Sequence, residues 1–301
     1  MPHVTKLETN LLELIRRTSV ELPGDVRAAL EAARRREAPG SNARYAMDLI
    51  RRNIELAAAN SAPLCQDTGA ILFYVRAGGG LCQDDFVEAA RRAVRTATRK
   101  GFLRQNSVNS LTGANSGTNL GPGSPVVHFQ QGKGGETEVR LILKGGGCEN
   151  VGAQYSLPDD RLGADRDLDG CRKAILDAVW QAQGKGCSPG VVGVCIGGDR
   201  ATGFEHSKEQ FLRKLGDRNP DLSLAALEAR IVREANRLGI GPMGFGGRTT
   251  LLAAKIGALN RVPASFFVSV SYMCWAFRRQ GITLDADGAI RRWLHEKSDE
   301  V

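Results

Sequence analysis

The sequence predicts a mixed α+β fold in which an N-terminal helical segment precedes an α/β core with glycine-rich loops. Three observations predict it. Apolar residues recur at helical spacing through the first sixty residues, short β-like runs follow, and glycine-rich loops separate those runs from further helices. No stretch has the composition of a linker, so we expect a single domain over 1–301, with a helical cap over 1–60 and the mixed core over 61–301.

The N-terminal segment contains three amphipathic stretches. The apolar positions of these stretches are Leu7, Leu11, Leu12 and Ile15, then Val26, Ala29, Leu30 and Ala33, then Ala46, Met47, Ile50, Ile54 and Leu56. Such spacing places apolar side chains on one face of a helix. Pro23 and Pro63 lie outside the periodic stretches, as expected of residues that interrupt helices. The sequence therefore predicts three helices.

The core combines predicted strands with predicted helices. The strands are predicted over 70–75, 126–129, 139–143, 191–196 and 266–270, and the helices over 84–99, 169–183, 207–215, 223–238 and 286–297. Gly239 is predicted to be the C′ residue that ends the fourth of these helices.

The composition limits the kinds of partner that we expect the protein to bind. The formal net charge is +8, but much of the excess lies in basic helical runs such as 33–36 and 91–100, which are typical of solvated faces. Aromatic residues make up 6% of the chain and do not interleave with basic ones as a nucleic-acid platform requires. No apolar run is long enough for a membrane span, and no signal peptide opens the sequence. We expect a cytoplasmic protein that binds neither nucleic acid nor membrane.

The sequence contains seven cysteines and no signal peptide, which favours reduced thiols and metal or cluster chemistry over disulfides. Cys65, Cys187 and Cys274 lie at the ends of predicted elements, next to polar or turn residues. Their separations are too long for a local zinc or ferredoxin motif, so only a folded domain could bring them together. The alternative is that all three are small buried hydrophobic residues. Cys195 lies within an apolar strand and is predicted to be core.

Two glycine-rich stretches, 145–147 and 239–247, would allow backbone N–H groups to approach a ligand. Neither matches a dinucleotide fingerprint or a P-loop, and tight turns without ligand contact are the alternative. Arg104 lies in a polar segment over 103–108, and an arginine there can clamp a carboxylate with two parallel hydrogen bonds. His128 and the remaining histidines have no partner at metal-ligand spacing, so His128 is predicted to be structural.

Six motifs in order carry a family resemblance. They are Pro-Leu-Cys-Gln-Asp-Thr-Gly at 63–69, Leu-Arg-Gln-Asn-Ser-Val at 103–108, Thr-Gly-Ala-Asn-Ser-Gly at 112–117, Gly-Gly-Gly-Cys-Glu-Asn at 145–150, Gly-Ile-Gly-Pro-Met-Gly at 239–244 and Cys-Trp-Ala-Phe-Arg-Arg at 274–279. Because of these motifs, the chain resembles the α subunit of class I fumarate hydratase and L(+)-tartrate dehydratase. The resemblance extends from about residue 5 to about residue 280. Ser188 and Cys195 depart from the family pattern, and neither change removes a cysteine of the motifs.

The resemblance implies a [4Fe–4S] cluster held by Cys65, Cys187 and Cys274, with one iron lacking a protein ligand. An open iron can act as a Lewis acid on the hydroxyl of a 2-hydroxy dicarboxylate. The resemblance further implies that Gln66 hydrogen-bonds the substrate and that Asp67 is the general acid that protonates the departing hydroxyl. The alternative for Asp67 is a turn residue before the glycine that follows.

The resemblance also implies candidate roles for further residues of these motifs. Arg104 is the candidate for a substrate carboxylate, and the backbone around Gly146 and Gly147 is the candidate for a second close contact. The roles of Arg278 and Arg279 stay open between substrate binding and neutralisation of the cluster's negative field. Cys148 could approach the pocket, but a fourth thiolate would close the iron site. Cys82 and Cys171 have no supporting neighbours.

The single-chain members of the family carry a second domain with the catalytic base, and this sequence ends at Val301 without one. The resemblance therefore implies a separate β subunit and an α2β2 heterotetramer. The expected activity is reversible dehydration of (S)-malate to fumarate. Dehydration of L(+)-tartrate to oxaloacetate, a methylated analogue, a non-catalytic iron–sulfur redox or oxygen sensor, and a basic interaction module are the alternatives.

Overall fold

The computed structural model describes residues 2–78, 80–132 and 134–295. The α-helices are α1 (Pro2–Val20), α2 (Gly24–Arg36), α3 (Asn42–Asn60), α4 (Gln83–Arg99), α5 (Gly146–Asn150), α6 (Leu168–Ala182), α7 (Arg200–Glu209) and α8 (Leu222–Ala235). The strands are β1 (Ala70–Ala77), β2 (Val126–Gln131), β3 (Thr137–Lys144), β4 (Ala153–Ser156), β5 (Gly190–Gly197), β6 (Leu251–Leu259), β7 (Phe267–Met273), β8 (Arg278–Leu284) and β9 (Ile290–Trp293). The mixed α+β class is confirmed.

The chain divides into two compact units, each with its own sheet. The first unit comprises residues 2–24, Arg52–Gly146 and 278–295, and the second comprises Asp25–Arg51 and Gly147–Phe277. Within the described ranges, no helix combines the length and the apolar character needed to cross a bilayer.

The sheet of the first unit has the strand order β2-β1-β3-β8-β9. Only the β1–β2 pair is parallel, and the other neighbours are antiparallel. Helices α1 and α4 pack on this sheet, and Phe73 of β1 meets Phe86 of α4 edge to face at 5.7 Å between ring centroids. The buried face of α4 is rich in alanine, and small side chains allow α1 to approach closely. The unit therefore has a conventional core between one sheet face and two helices.

The sheet of the second unit has the order β4-β7-β5-β6, with β5 and β6 parallel. Every residue of β5 is buried, which agrees with its continuous apolar sequence. The helices α6 and α8 contribute Ile175 and Ile231 to the core cluster beside this sheet. Helix α7 packs on β5 and β7, where a Cβ at Gly193 would stand 2.2 Å from the carbonyl oxygen of Ser207. Glycine is thus needed for this close approach.

The predicted helix over 286–297 is wrong. Residues 290–293 form β9, which pairs antiparallel with β8, and residues 296 and 297 lie outside the described ranges. Ile282 pairs with Trp293 between two consecutive strands, and the apolar periodicity within 286–297 does not contain this pairing.

Two other helix boundaries differ from the prediction. Helix α7 begins at Arg200 because the Asp199 side chain accepts hydrogen bonds from the backbone N–H groups of Ala201 and Thr202, and a short 3₁₀ turn follows its end. Helix α8 ends at Ala235, so Gly239 is not its C′ residue and belongs to the loop beyond, with a φ of 72°.

Candidate functional site

The loop that contains Asp67 lies at one end of the strands of the first sheet. Because Ala70 of β1 pairs with Lys144 of β3 in antiparallel fashion, the residues before β1 and those after β3 lie side by side. The backbone N–H of Gly146 donates to Oδ2 of Asp67 at 2.7 Å. The side-chain amide of Asn106 donates to Oδ1 at 3.3 Å. Two donors from two other segments therefore orient the carboxyl group.

The glycines next to these strand ends have a steric role. Gly69 has a φ of 82°, and a Cβ built there would lie 2.4 Å from the carbonyl group of Lys144. A Cβ at Gly145 would lie 3.1 Å from Oδ2 of Asp67, and one at Gly146 would lie 3.6 Å away. The glycine run thus provides room for the carboxyl group as well as a donor.

Arg278 contacts the backbone of the same loop. It begins β8, is 1% exposed, and donates from Nη1 to the backbone carbonyl oxygen of Asp67 at 2.7 Å. A buried guanidinium donating to a carbonyl is a charge-assisted bond that holds the loop in place. The neighbouring Arg279 is also buried, at 2% exposed. The structure therefore connects Arg278, whose role the sequence left open, to the backbone that carries Asp67.

Hydrogen bonds to the backbone of Arg104 fix the polar segment that contains it. The backbone N–H of Arg104 donates to the hydroxyl of Thr68 at 3.2 Å, and the carbonyl oxygen of Arg104 accepts from the side-chain amide of Asn119 at 2.6 Å. The side chain of Arg104 is exposed and makes no ion pair with any described residue. Gln66 is exposed and the adjacent Cys65 is half-buried. The segment thus presents a guanidinium that is available to an anion.

In the second unit, Cys187 and Cys274 belong to one small cluster. Its other members are Cys148, Trp275 and Ala276. The backbone N–H of Trp275 donates to the carbonyl oxygen of Cys187 at 3.1 Å, which links the two segments directly. Cys187 has a φ of 53° and a ψ of 60°, in the left-handed region that non-glycine residues rarely occupy. Such an outlier is consistent with a functional constraint on this position.

The second glycine-rich stretch supports the Cys187 loop. The Ser188 hydroxyl donates to the carbonyl oxygen of Gly241 at 2.6 Å, and the N–H of Met243 donates to the carbonyl oxygen of Ser188 at 2.8 Å. A Cβ at Gly184 would lie 3.0 Å from the Cα of Gly244. These contacts agree with the tight-turn interpretation of residues 239–247.

The other cysteines have structural surroundings. Burial raises the pKa of the Cys195 thiol, and likewise that of the Cys171 thiol, to about 12, so both groups are protonated near neutral pH. The core interpretation of Cys195 is confirmed. Cys82 is the N-cap of α4, where its sulfur accepts from the backbone N–H of Asp85 at 3.5 Å. His128 stacks on the ring of Tyr74 at 4.6 Å, as expected of a structural histidine.

The predicted residues thus fall into two groups. The first unit brings together Asp67, Gly146 and Arg278 and also contains Cys65, while the second brings together Cys187 and Cys274. In the described part of the chain, no group of three or more His, Cys, Asp or Glu side chains has the geometry of a metal site. Asn106 was not among the predicted site residues, although it lies two positions after Arg104 in the motif at 103–108.

Known proteins resemble this chain over nearly its whole length. The family model described as Fumarate hydratase (Fumerase) matches residues 8–283. A Geobacillus stearothermophilus protein, named as a candidate class I fumarate hydratase, is 52% identical over 300 residues; the match covers 98% of this chain and 58% of that protein. The chain therefore spans little more than half of this relative.

Two further relatives carry the name of a subunit. A Methanocaldococcus jannaschii protein, named as a candidate L(+)-tartrate dehydratase subunit alpha, is 34% identical over 289 residues, which is 93% of this chain and 99% of that protein. The L(+)-tartrate dehydratase subunit alpha of Escherichia coli strain K12 is 30% identical over 298 residues, which is 98% of this chain and 95% of that protein. The resemblance drawn from the six motifs is confirmed.

Proposed function

The chain belongs to the fumarate hydratase family, and from that premise we propose that it is the α subunit of an iron–sulfur hydro-lyase acting on a 2-hydroxy dicarboxylate. The observation that carries the proposal is the Asp67 site. Its carboxyl group is oriented by Gly146 and Asn106, and the adjoining segment presents the Arg104 guanidinium, which has no ion pair among the described residues. A proton-transfer group next to an anion-binding group suits the elimination of water from a carboxylate substrate.

The proposed cofactor is a [4Fe–4S] cluster with Cys65, Cys187 and Cys274 as ligands and one iron without a protein ligand. The donor set fits, because thiolates are the usual ligands of such clusters. The shared cluster of Cys187 and Cys274 and the left-handed backbone of Cys187 support it. When bound, the cluster supplies a Lewis acid for the substrate hydroxyl.

The chain's own residues would perform the remaining steps. Arg104 binds a substrate carboxylate through charge-assisted hydrogen bonds, and Gln66 hydrogen-bonds the substrate. Asp67 gives a proton to the hydroxyl as the carbon–oxygen bond breaks, so that water leaves. In the hydration direction the same carboxylate takes that proton back from water. Gly146 and Asn106 hold the carboxyl group in the orientation that this transfer needs. Gly147 follows Gly146 in the short helix α5 and is the second backbone position proposed to contact the substrate.

We further propose a separate β subunit and an α2β2 assembly. The relatives from Methanocaldococcus jannaschii and Escherichia coli are named as α subunits and match this chain over nearly their full lengths. The β subunit would supply the base that removes the proton from carbon, so the α chain alone would bind substrate without turning it over.

The preferred substrate pair is (S)-malate and fumarate, because the 52% identical relative is named as a fumarate hydratase. L(+)-tartrate is the second candidate, favoured by the names of the 34% and 30% identical relatives. The two substrates differ by one hydroxyl, and a few contacts in the pocket can decide between them.

Anaerobic reconstitution of the purified chain with iron and sulfide tests the proposal. We expect about four irons per chain, or about three in an oxidised cluster, by analysis of metal and sulfide. We also expect an EPR spectrum that changes on addition of (S)-malate. The same titration with L(+)-tartrate compares the two substrates. A chain that takes up no iron, or a cluster that is indifferent to every dicarboxylate, would contradict the proposal.

A further inference from the structure

Tyr272 is a buried tyrosine with an unusual hydroxyl group. It lies in β7 opposite Val192 of β5, and only 2% of it is exposed. Its hydroxyl has no hydrogen-bond partner among the described residues. Buried polar groups in proteins are nearly always hydrogen-bonded, and an unsatisfied one reduces stability. The orphaned hydroxyl therefore indicates a missing acceptor.

The ring of Tyr272 packs on the loop that carries Cys187. A Cβ at Gly186 would lie 2.5 Å from Cε1 of the ring, and a Cβ at Gly190 would lie 2.4 Å from Cζ and from the hydroxyl oxygen. These two glycines flank Cys187 in the sequence, and Tyr272 itself lies two residues before Cys274. The hydroxyl is thus placed among the segments that hold the two proposed ligands.

Three cysteines lie in the surroundings of Tyr272. Cys148, Cys187 and Cys274 belong to one small cluster in the same unit, and they interact electrostatically with the Tyr272 side chain. A phenolic O–H can donate a hydrogen bond, and this one has no acceptor among the described residues.

We propose that Tyr272 is a positioning residue for the iron–sulfur cluster, donating its O–H to a sulfur of the cluster or of a ligand thiolate. The inference rests on the cofactor proposed above. Hydrogen bonds to sulfur are one of the means by which a protein sets the reduction potential of a cluster. A donor stabilises the more negative, reduced form, so Tyr272 would raise the potential.

The test uses Tyr272→Phe in the full chain, with Tyr155→Phe as the matched control. Tyr155 also lies in the second unit, but its hydroxyl donates to Oδ2 of Asp177 at 2.8 Å. Without the cluster, we expect Tyr272→Phe to melt at or above the wild-type temperature and Tyr155→Phe to melt below it. With the cluster, we expect Tyr272→Phe to have a lower reduction potential and faster loss of iron in air. The potential of Tyr155→Phe should equal that of the wild type.

The outcomes separate the two proposals. A wild-type chain that takes up no cluster would overturn both. A Tyr272→Phe chain that holds the cluster with the wild-type potential and the wild-type rate of iron loss would overturn the role of Tyr272 and leave the cofactor intact. If the variant does not fold, resonance Raman spectra of the wild-type cluster in H₂O and D₂O decide instead. A shift of the iron–sulfur modes supports a donor to sulfur, and identical spectra overturn it.

Discussion

The backbone N–H of Gly146 donates a 2.7 Å hydrogen bond to Oδ2 of Asp67, across 79 residues of sequence. The antiparallel pairing of β1 with β3 makes this contact possible, because it joins the residues just before one strand to those just after the other. The Gly146 donor is therefore placed by its position directly after a paired strand, and functional groups held by rigid elements are the more accurately placed.

Replacement of Asp67 by asparagine should abolish most of the activity while leaving the cluster in place. The amide has nearly the same shape and can still accept from Gly146, but it cannot transfer the proton. General acid–base catalysis contributes about 10²–10⁴-fold, so we expect kcat of the enzyme assembled with its partner subunit to fall by about that factor. Asp84→Asn, on the exposed first turn of α4, is the control. A kcat within about twofold of the wild type would exclude the general-acid role.

Replacement of Gly145 by alanine should displace the Asp67 carboxyl group. The added Cβ would lie 3.1 Å from Oδ2, so the carboxyl group must shift by a few tenths of an ångström and its bond to Gly146 weakens. Since small misplacements of reacting groups cost rate, we expect kcat to fall about tenfold or more with little change in melting temperature. Gly135→Ala, where nothing lies within 4 Å of the added Cβ, should be neutral. Equal kcat in the two variants would contradict the steric role.

Parts of this architecture were predictable from the sequence and parts were not. The helices α1 to α4 were predicted correctly because their apolar periodicity is complete within each segment. Strand β6 was missed because its sequence is rich in alanine and leucine, and its strand conformation depends on parallel pairing with β5. Strand β8 was missed because it begins with two arginines, which are usually exposed but are buried here.

The candidate site likewise contains residues that were predictable from the sequence and residues that were not. The motif around Asp67 and the arginine at 104 could be read locally, since family motifs are contiguous in sequence. The roles of Asn106, Arg278 and Tyr272 depend on contacts with segments far away in the chain, and no local pattern contains such contacts. Long-range sheet pairing, such as that of Ala70 with Lys144, is what creates them.

Replacement of Arg104 by alanine should weaken substrate binding more than it slows turnover. The guanidinium makes no ion pair with described residues, so its removal leaves no buried carboxylate unpaired and should not destabilise the chain. Loss of a charge-assisted carboxylate contact of about 2–3 kcal/mol predicts a KM for malate that rises about 30- to 150-fold. Arg99→Ala, at the end of α4, removes the same charge and is the control. Equal KM values for the two variants would show that Arg104 does not bind the substrate.

Replacement of Cys148 by serine tests whether the cluster has three or four protein ligands. Cys148 is 4% exposed and shares the small apolar cluster with Cys187 and Cys274. With three ligands, Cys148→Ser should reconstitute with the wild-type iron content, whereas Cys187→Ser and Cys274→Ser should each lose most of it. Cys195→Ser, whose parent thiol is held protonated by burial, is the control and should also retain iron.

The opposite result would change the functional assignment. If Cys148→Ser lost iron to the same extent as the Cys187 variant, a fourth thiolate would occupy the iron that the dehydratase needs open. That outcome would favour a non-catalytic redox or oxygen sensor over a hydro-lyase.

Asp177 should stabilise the second unit at neutral pH and lose its effect in acid. Burial raises the pKa of its carboxyl group, but hydrogen bonds from Arg161, Tyr155 and Gln181 outweigh burial and hold the pKa below the usual 3.8. The ionised form is therefore favoured by folding. Its contribution to stability is complete above the unfolded pKa of about 4 and disappears as the pH falls through the lower folded value.

Asp177→Asn should cost about 1.5 kcal/mol of unfolding free energy at pH 7. Urea denaturation should show the difference from wild type shrinking below about pH 4, while Asp160→Asn, an exposed control, should show little difference at either pH. A difference that stayed constant from pH 7 to pH 3 would mean that Asp177 acts through packing and not through its charge.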